Sequence, residues 1–212
     1  MKITKLMHSC LLVEMTEPIN RTVLFDPGVY SEQFVDVTSL MWLDDIIITH
    51  SHPDHMSIPL VKKLVEKFPE VRITAPADAA KQLSEAGIKA STDLPDGIEL
   101  FDAPHESIAP FSSTPQQIGV HYLGLLTNPG DSHTFRETRS VLALPVQAPW
   151  GSTVRAINLA LELKPKYIVP IHDWHWHEEA RLKMYSMMER VFSEQGITFL
   201  ALTNREPIVI TP

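Results

Sequence analysis

Short apolar runs separated by turn residues occupy most of the first fifty positions. Their spacing predicts β-strands over residues 2–7, 10–15, 22–25 and 46–49. The third run ends at the turn 26–28, where an aspartate is followed by proline and glycine, both of which favour turns. The opening of the chain is therefore predicted to form a meander of short strands.

Helical spacing of apolar residues begins after the fourth strand, over residues 57–68, and Ser57 is placed to cap that helix. Further strands are predicted at 71–74, 98–101, 118–126, 140–144, 167–171, 197–202 and 207–210, and further helices at 77–86, 152–163 and 178–193. The last helix is predicted to bury one face, formed by Ala180, Met184, Met187, Met188, Val191 and Phe192. Two sheet-rich halves that each carry helices indicate an α+β fold, with two packed sheets and helices outside.

Composition narrows the class of protein. With 212 residues and 44% hydrophobic content, the chain is expected to form one domain spanning residues 1–212. No signal peptide and no apolar run of membrane-spanning length is visible, so we expect a cytoplasmic protein without a membrane partner. The single cysteine, Cys10, excludes an internal disulfide and is predicted to be a core residue.

Charge argues against nucleic acid as a partner. The net charge is −8, from 18 basic and 26 acidic residues. Proteins bind nucleic acids largely by neutralising phosphates with lysine and arginine, and this chain has no long basic run to do so. A small-molecule substrate is therefore expected. The sequence carries no signal that specifies an oligomeric state.

A cluster of potential metal ligands follows the strand predicted at residues 46–49. Within six positions the chain carries three histidines and one aspartate, namely His50, His52, Asp54 and His55. Histidine and carboxylate side chains bind zinc and similar ions, and a hydrophobic core does not require so many titratable groups together. This turn is therefore predicted to form half of a metal site.

The stretch 46–55 resembles the signature of the metallo-beta-lactamase superfamily. Four other segments follow the family's order along the chain: residues 8–14, 23–28, 130–132 and 168–172. Within the superfamily, the chain is similar to small cytoplasmic members such as ascorbate-6-phosphate lactonase. The resemblance runs from Ile3 to about Glu206, and it implies an αββα four-layer sandwich, the metallo-beta-lactamase fold.

The resemblance also implies a set of ligands for two divalent metal ions, zinc first and manganese as an alternative. The first ion would be bound by His50, His52 and His105, and the second by Asp54, His55 and His172. Asp131 would bridge the two ions. His121 and His133 stay open as alternatives to His105. His121 lies in a strand-like run, and His133 closely follows the turn at Asp131.

These ligands indicate a hydrolase in which a hydroxide between the two ions attacks a small ester-like substrate, a lactone or a phosphodiester. Asp54 is a candidate catalytic residue that orients or deprotonates the nucleophile. His8 is a second candidate, because related hydrolases carry a histidine there, although a buried histidine with a backbone partner is an alternative. The competing function is a metal-dependent binding or sensor protein that retained the ligands without turnover.

Three further positions are open to two interpretations. Asp26 either orients a ligand histidine or is only a turn residue. Trp174 and Trp176 either line the substrate cleft or anchor the following helix.

After His55, many family members carry glycine at the second position, whereas this chain has Ser57 there. That departure argues against the glyoxalase II and lactamase branches.

Overall fold

Two β-sheets and four α-helices form the regular structure of the described residues. The computed structural model describes residues 1–17, 19–91, 93–109 and 113–212. The strands, in chain order, are β1 (Lys2–Met7), β2 (Cys10–Met15), β3 (Arg21–Phe25), β4 (Asp45–Ile47), β5 (Arg72–Thr74), β6 (Ile98–Phe101), β7 (Gly119–Tyr122), β8 (Leu126–Asn128), β9 (Val141–Pro145), β10 (Tyr167–Ile171), β11 (Thr198–Phe199) and β12 (Ile208–Val209). The helices are α1 (Ile58–Lys67), α2 (Ala77–Glu85), α3 (Thr153–Leu163) and α4 (Glu178–Ser193), and a short 3₁₀ helix occupies Val29–Ser31.

The direction of the strands determines where their ends meet. The first sheet has the order β12-β1-β2-β3-β4-β5, and the second has the order β11-β10-β9-β8-β7-β6. Strands β3, β4 and β5 are parallel, and two successive antiparallel pairings bring β1 into the same direction. In the second sheet, β8 to β11 are parallel. Two antiparallel pairings, of β6 with β7 and of β7 with β8, give β6 the same direction as β8. The carboxyl ends of β1, β3 and β4 therefore share one sheet edge, as do those of β6, β8 and β10.

The inner faces of the two sheets pack against each other. Successive residues of a strand point to opposite faces, so alternate apolar residues are directed inward. Val23, Phe25 and Ile47 of the first sheet lie in one buried cluster with Val120 and Ile171 of the second. This central layer of side chains forms the main core of the molecule.

The helices cover the two outer faces. On the first sheet, Ile46 packs in a buried cluster with Leu60 of α1 and Leu83 of α2. On the second sheet, a separate cluster joins β9 to residues of α3 and α4, including Met188. The order of layers is helix, sheet, sheet, helix, which confirms the predicted αββα sandwich.

Most predicted elements are present, and α1 begins as predicted, with the Ser57 side chain accepting a hydrogen bond from the Leu60 amide at 3.2 Å. The single strand predicted over residues 118–126 is wrong. It consists of β7 and β8, joined by a turn in which Leu123 and Gly124 have left-handed backbones (φ 50° and 66°). The apolar pattern concealed this turn because Leu123 and Leu125 pack against the core.

The buried face predicted for α4 is partly wrong. Met188 and Phe192 are buried as predicted, but Ala180 is exposed and Tyr185 is buried instead. The hydroxyl of Tyr185 accepts a hydrogen bond from the buried Lys5, which lets a polar aromatic residue occupy this face. Cys10 is buried, which confirms its predicted core position. Among the described residues, the helices are all too short or too polar to cross a membrane.

Candidate metal centre

The predicted site residues follow the carboxyl ends of strands. In the first sheet, His8 follows β1 and the turn 50–55 follows β4. In the second sheet, His105 comes after β6, Asp131 after β8 and His172 directly after β10. Because these strand ends lie at shared edges of the packed sheets, residues distant in sequence come together at one end of the sandwich.

Three groups of side chains place their possible ligand atoms within 4.8 Å of one another. The groups are His50, His52 and His105; His8, Asp54, His55 and His172; and His50, His55 and Asp131. The structure thus brings together all seven residues that the resemblance implies as ligands. It also places His8 beside the second group.

Asp131 lies between the two groups of histidines. Its Oδ1 is 3.1 Å from Nε2 of His55, and its Oδ2 is 3.0 Å from Nε2 of His172. The same Oδ2 is 3.7 Å from Nε2 of His105 and 4.0 Å from that of His50. A carboxylate in this position can contact ions held by either group.

The orientation of the rings fits a metal site. Nδ1 of His105 lies 2.7 Å from the carbonyl of Glu106, and Nδ1 of His172 lies 2.8 Å from the carbonyl of Gln147. A ring that donates from Nδ1 presents an unprotonated Nε2 when neutral, which is the form that binds metals. The buried Nε2 atoms of His50 and His105 also lack a hydrogen-bond partner among the described residues.

Asp26 has a larger role than that of a turn residue. Its Oδ2 is 3.0 Å from Nδ1 of His55, and its Oδ1 accepts a hydrogen bond from the Thr49 amide at 2.7 Å. The hydroxyl of Thr49 is in turn 3.1 Å from Nδ1 of His50. These buried contacts orient two of the histidines, which supports the first of the two interpretations of Asp26. Thr49 was not predicted from the sequence.

Burial and neighbouring charges both shift the pKa values of residues in the site. Burial tends to lower the pKa of His55, but the carboxylates of Asp131 and Asp26 outweigh it and hold that pKa well above its ordinary value. Burial, followed by the charge on His55, holds the pKa of His50 well below its ordinary value. Burial tends to raise the pKa of Asp131, but the charges of His172 and His55 hold it well below the usual range. The site therefore keeps a carboxylate charged in a buried place.

His8 is buried and acts on Asp54. The backbone N–H of Trp174 donates to Nδ1 of His8 at 3.3 Å, so Nδ1 carries no proton. Burial lowers the pKa of His8 to about 4, which keeps the ring neutral near pH 7. The proton is therefore on Nε2, which donates to Oδ2 of Asp54 at 3.2 Å. Because that nitrogen is protonated, His8 does not present a free lone pair to an ion.

Three residues of the site have left-handed backbones. The φ angles are 57° at His8, 44° at Asp26 and 61° at His172. Residues with a Cβ rarely adopt this conformation, which costs about 1–3 kcal/mol where it occurs. Each of the three directly follows a strand. The backbone is therefore strained at the points where it turns these side chains toward the cluster.

Gln117 connects three ligand-bearing segments. Its Oε1 accepts from the Asp131 amide at 2.9 Å, and its Nε2 donates to the Ala103 carbonyl at 2.6 Å. Its backbone pairs with His50 in an isolated β-bridge. Gly130 has a φ of 58°, and a Cβ there would lie 2.9 Å from the side chain of Gln117. The tight turn before Asp131 therefore requires glycine. The role of Gln117 was not predicted from the sequence.

Trp150 also contacts the centre. Its indole N–H donates to Oδ2 of Asp131 at 3.2 Å, and its ring centroid is 5.3 Å from that of His172. The loop that carries it, residues 146–152, has no ligand-type side chain that would have drawn attention to it. Its role was therefore missed by reasoning from the sequence.

The two alternatives to His105 lie elsewhere. Nδ1 of His121 is 2.9 Å from the hydroxyl of Thr127, and Nε2 of His133 is 2.7 Å from the carbonyl of Pro145. Within the described ranges, neither histidine joins a group of possible ligands. His105 is therefore the one of the three that lies beside His50.

The two tryptophans after His172 have different environments. Trp176 packs in the outer cluster of the second sheet and meets the ring of Tyr185 at 6.5 Å, so it anchors α4. Trp174 is 45% exposed and stacks on Tyr30 beside the cluster. The second interpretation therefore applies to Trp176, and Trp174 lies at the site.

Comparison with known proteins shows the family. The model of a family described as the beta-lactamase superfamily domain matches residues 2–172. Protein Rv0786c of Mycobacterium tuberculosis is 32% identical over 186 residues, which cover 82% of this chain and 84% of that protein. Both matches extend over most of the chain, including the turn 50–55 in the case of the family model.

Two solved structures have a similar fold. One is a protein of Parabacteroides distasonis assigned as a metal-dependent hydrolase, with a TM-score of 0.71 and 22% identity over 93% of this chain and 90% of that one. The other is Igni18, a metallo hydrolase from Ignicoccus hospitalis, with a TM-score of 0.70 and 18% identity over 98% of this chain and 97% of that one. Similarity at this level of identity concerns the fold alone. The family match, the sandwich of two sheets and the histidine and aspartate cluster together show that this chain belongs to the metallo-beta-lactamase superfamily.

Proposed function

We propose that this protein is a metal-dependent hydrolase that binds two divalent ions with His50, His52, Asp54, His55, His105, Asp131 and His172. The observation that carries the proposal is the position of Asp131 between two groups of histidines. Buried Nε2 atoms without hydrogen-bond partners are costly in a core but suit metal ligands. Zinc is the proposed metal and manganese the alternative, because imidazole and carboxylate ligands accept both.

The ions, when bound, would supply a nucleophilic water at neutral pH and polarise the substrate oxygen. The chain contributes the orientation of the groups around them. Asp26 and Thr49 orient His55 and His50, and His8 orients Asp54. We propose that Asp54 helps to orient the attacking water. His8, which is 1% exposed, acts through Asp54 and does not touch the substrate.

The proposed substrate is a small ester-like molecule, a lactone or a phosphodiester. The similarity to ascorbate-6-phosphate lactonase supports a lactone, and the net charge of −8 argues against a nucleic acid. We also propose that the protein acts in the cytoplasm and has no membrane partner. Turnover requires only the metal ligands and an open cleft, so no side-chain nucleophile is needed.

The first test is the metal content of the protein purified without chelator. We expect about two ions per chain, and a marked loss in Asp131→Ala because both histidine groups lose their shared carboxylate. Asp93→Ala, which removes an exposed carboxylate, is the matched control and should retain both ions. No bound ion in the parent protein, and none after addition of zinc or manganese, would overturn the proposal.

Turnover is tested on the metal-loaded protein with a panel of lactones, aryl esters and phosphodiesters. Hydrolysis of at least one class, lost in Asp131→Ala, supports the hydrolase. Two tightly bound ions without hydrolysis of any of them would favour the binding or sensor protein that the sequence leaves as the competing function.

A further inference from the structure

Two aromatic rings from opposite halves of the molecule stack at the edge of the metal centre. The rings of Tyr30 and Trp174 have centroids 4.0 Å apart and are inclined by only 5°. Tyr30 belongs to the 3₁₀ helix after β3, and Trp174 to the loop after β10. Trp174 is 45% exposed. A large aromatic residue held in one orientation at the surface beside a candidate active site offers a flat apolar surface to a ligand.

This stacked pair lies next to the residues of the second ligand group. The ring of His8 is 5.4 Å from that of Tyr30 and 4.2 Å from that of His172. The backbone N–H of Trp174 is fixed by its hydrogen bond to His8. The pair is therefore held by the same residue that orients Asp54, so its distance from the centre is set by the fold.

Trp150 supplies a second aromatic surface. Its ring is 5.3 Å from His172 and 6.5 Å from His105, and its N–H is bound to Asp131. Tyr30 and Trp174 lie beside His8, whereas Trp150 lies beside His172 and Asp131. His172 lies between them. Aromatic side chains thus flank the candidate ligands on two sides.

Among the described residues, lysine and arginine form no ion pair with the carboxylates of the centre. In the described part of the chain, the ion pairs of Asp54 and Asp131 are with histidines alone. Two cations whose partners directly follow candidate ligands are already paired: Lys5 of β1 with Asp173 at 2.7 Å, and Arg155 of α3 with Glu106 at 2.8 Å. Sites that recognise phosphate groups commonly use lysine or arginine for that purpose. These side chains therefore favour a substrate recognised through an apolar group over one whose phosphate is held by lysine or arginine.

We propose that Tyr30, Trp174 and Trp150 bind the flat apolar part of the substrate, and that this substrate is an uncharged aryl ester or aromatic lactone. The inference rests on the proposed hydrolase function and narrows its substrate range. The stacked pair packs against the ring of the substrate, which leaves the ester group directed toward the candidate ligands. The exposed face of Trp174 becomes covered when the substrate binds.

Binding is tested without turnover by titration calorimetry of the purified metal-loaded protein. The probe is 3,4-dihydroquinolin-2-one, an uncharged aromatic lactam that resists hydrolysis, and δ-valerolactam is the matched probe without the aromatic ring. We expect the aromatic lactam to bind at least tenfold more tightly. Trp174→Leu should weaken that preference by about tenfold, and Trp174→Phe should retain most of it.

The control variant is Trp42→Ala. Trp42 is 61% exposed, but it precedes β4 and therefore lies at the opposite end of that strand from His50. It should leave the preference for the aromatic lactam unchanged. Equal binding of both lactams to the parent protein, or an equal effect of the Trp42 and Trp174 variants, would overturn the aromatic site.

Kinetics then separate this proposal from the hydrolase proposal. With 3,4-dihydrocoumarin and δ-valerolactone as matched lactones, Trp174→Leu should raise KM for the aromatic one and lower the ratio of the two kcat/KM values about tenfold. If both lactones were hydrolysed without a preference, the aromatic site would be refuted and the hydrolase would stand. Faster hydrolysis of 4-nitrophenyl phosphate than of 4-nitrophenyl acetate would refute the uncharged substrate class and also leave the hydrolase intact. If the aromatic lactam bound as expected but neither lactone was hydrolysed, the hydrolase function would be refuted and the aromatic binding site would stand.

Discussion

His8 is buried, has a left-handed backbone and a defined tautomer, and contacts the candidate ligand Asp54. The proton on Nε2 follows from the hydrogen bond that Nδ1 accepts from Trp174. Burial tends to raise the pKa of Asp54, but the hydrogen bond from His8 and the charge on His55 hold it below its usual range. His8 thus keeps the Asp54 carboxylate charged and oriented. Residues in this position around metal sites affect ion affinity without touching the ion.

Replacing His8 tests this orienting role. We expect His8→Ala to weaken binding of one of the two ions by about 10–100-fold, the usual effect of losing a hydrogen bond to a metal ligand. His8→Gln retains an N–H donor and should lose less. Chelator competition with zinc measures both affinities, and His177→Ala, an exposed histidine, is the control. Unchanged affinities in His8→Ala would contradict the role.

Glycine at position 28 permits the close approach of two loops. A Cβ there would lie 1.8 Å from the carbonyl oxygen of Asp54 and 2.6 Å from the amide of His55. Both are backbone atoms, so the clash cannot be relieved by a rotamer change. Gly28→Ala is expected to displace the turn 50–55, lower the free energy of unfolding by about 1–3 kcal/mol and weaken metal binding.

Gly87→Ala is the matched control for that variant. Gly87 follows α2 with a φ of 78°, and a Cβ there would meet nothing within 4 Å. Its replacement should cost about 1 kcal/mol through backbone strain alone, with metal content unchanged. Urea unfolding and metal analysis distinguish the two variants. Equal metal content in both would show that the turn tolerates the displacement.

At the scale of elements, local patterns predicted most of the fold. Strands and helices follow from the spacing of apolar residues, because each sheet face and helix face buries its own set. The pattern failed at residues 123–125, where apolar side chains occupy a turn and still reach the core. It also overestimated the two strands nearest the carboxyl terminus, which span only Thr198–Phe199 and Ile208–Val209. Those segments are apolar, but most of their length does not pair.

The candidate site was predictable where its residues are adjacent in sequence. The turn 50–55 carries four of them, and their chemistry is visible without a structure. The contacts of Gln117 and Trp150 with Asp131 span 14 and 19 positions, respectively. An amide or an indole has no spacing rule that marks such a role. Only the convergence of strand ends reveals it.

Gln117 should determine how well the three ligand-bearing segments fit together. We expect Gln117→Leu to weaken metal binding at least tenfold, because the Asp131 amide and the Ala103 carbonyl lose their partner. Gln117→Glu retains the acceptor for the Asp131 amide and should lose less. Gln195→Leu, at an exposed position after α4, is the control. Zinc affinities measured by chelator competition would count against the role if the Gln117 and Gln195 variants behaved alike.

At the scale of the whole molecule, a buried ionic contact joins the two halves beneath the site. Nζ of Lys5, on β1, is 2.7 Å from Oδ1 of Asp173 and 2.9 Å from the hydroxyl of Tyr185. Asp173 directly follows His172, and Tyr185 lies on α4. Burial tends to raise the pKa of Asp173, but Lys5 holds it below its usual range. The charged pair therefore links the first sheet to the loop that carries His172.

Breaking this pair should affect the entire fold. Lys5→Met leaves Asp173 charged and buried without its main partner, which is expected to lower the free energy of unfolding by about 3–5 kcal/mol. Lys2→Met is the matched control on the same strand. Its partner Glu14 is 2.7 Å away, but the Lys2 side chain is 43% exposed, so the loss should be below about 1 kcal/mol.

A second variant separates loss of the pair from loss of a well-packed lysine. In Lys5→Met combined with Asp173→Asn, the uncompensated charge is gone, so part of the lost stability should return. Urea unfolding of the parent protein, Lys5→Met, Asp173→Asn and the double variant measures this recovery. Metal affinity reports whether His172 keeps its position. The effects of the two substitutions on the free energy of unfolding could instead simply add, so that Asp173→Asn costs as much in the Lys5→Met background as in the parent protein. The two residues would then act independently, which would contradict a stabilising ionic link between the halves.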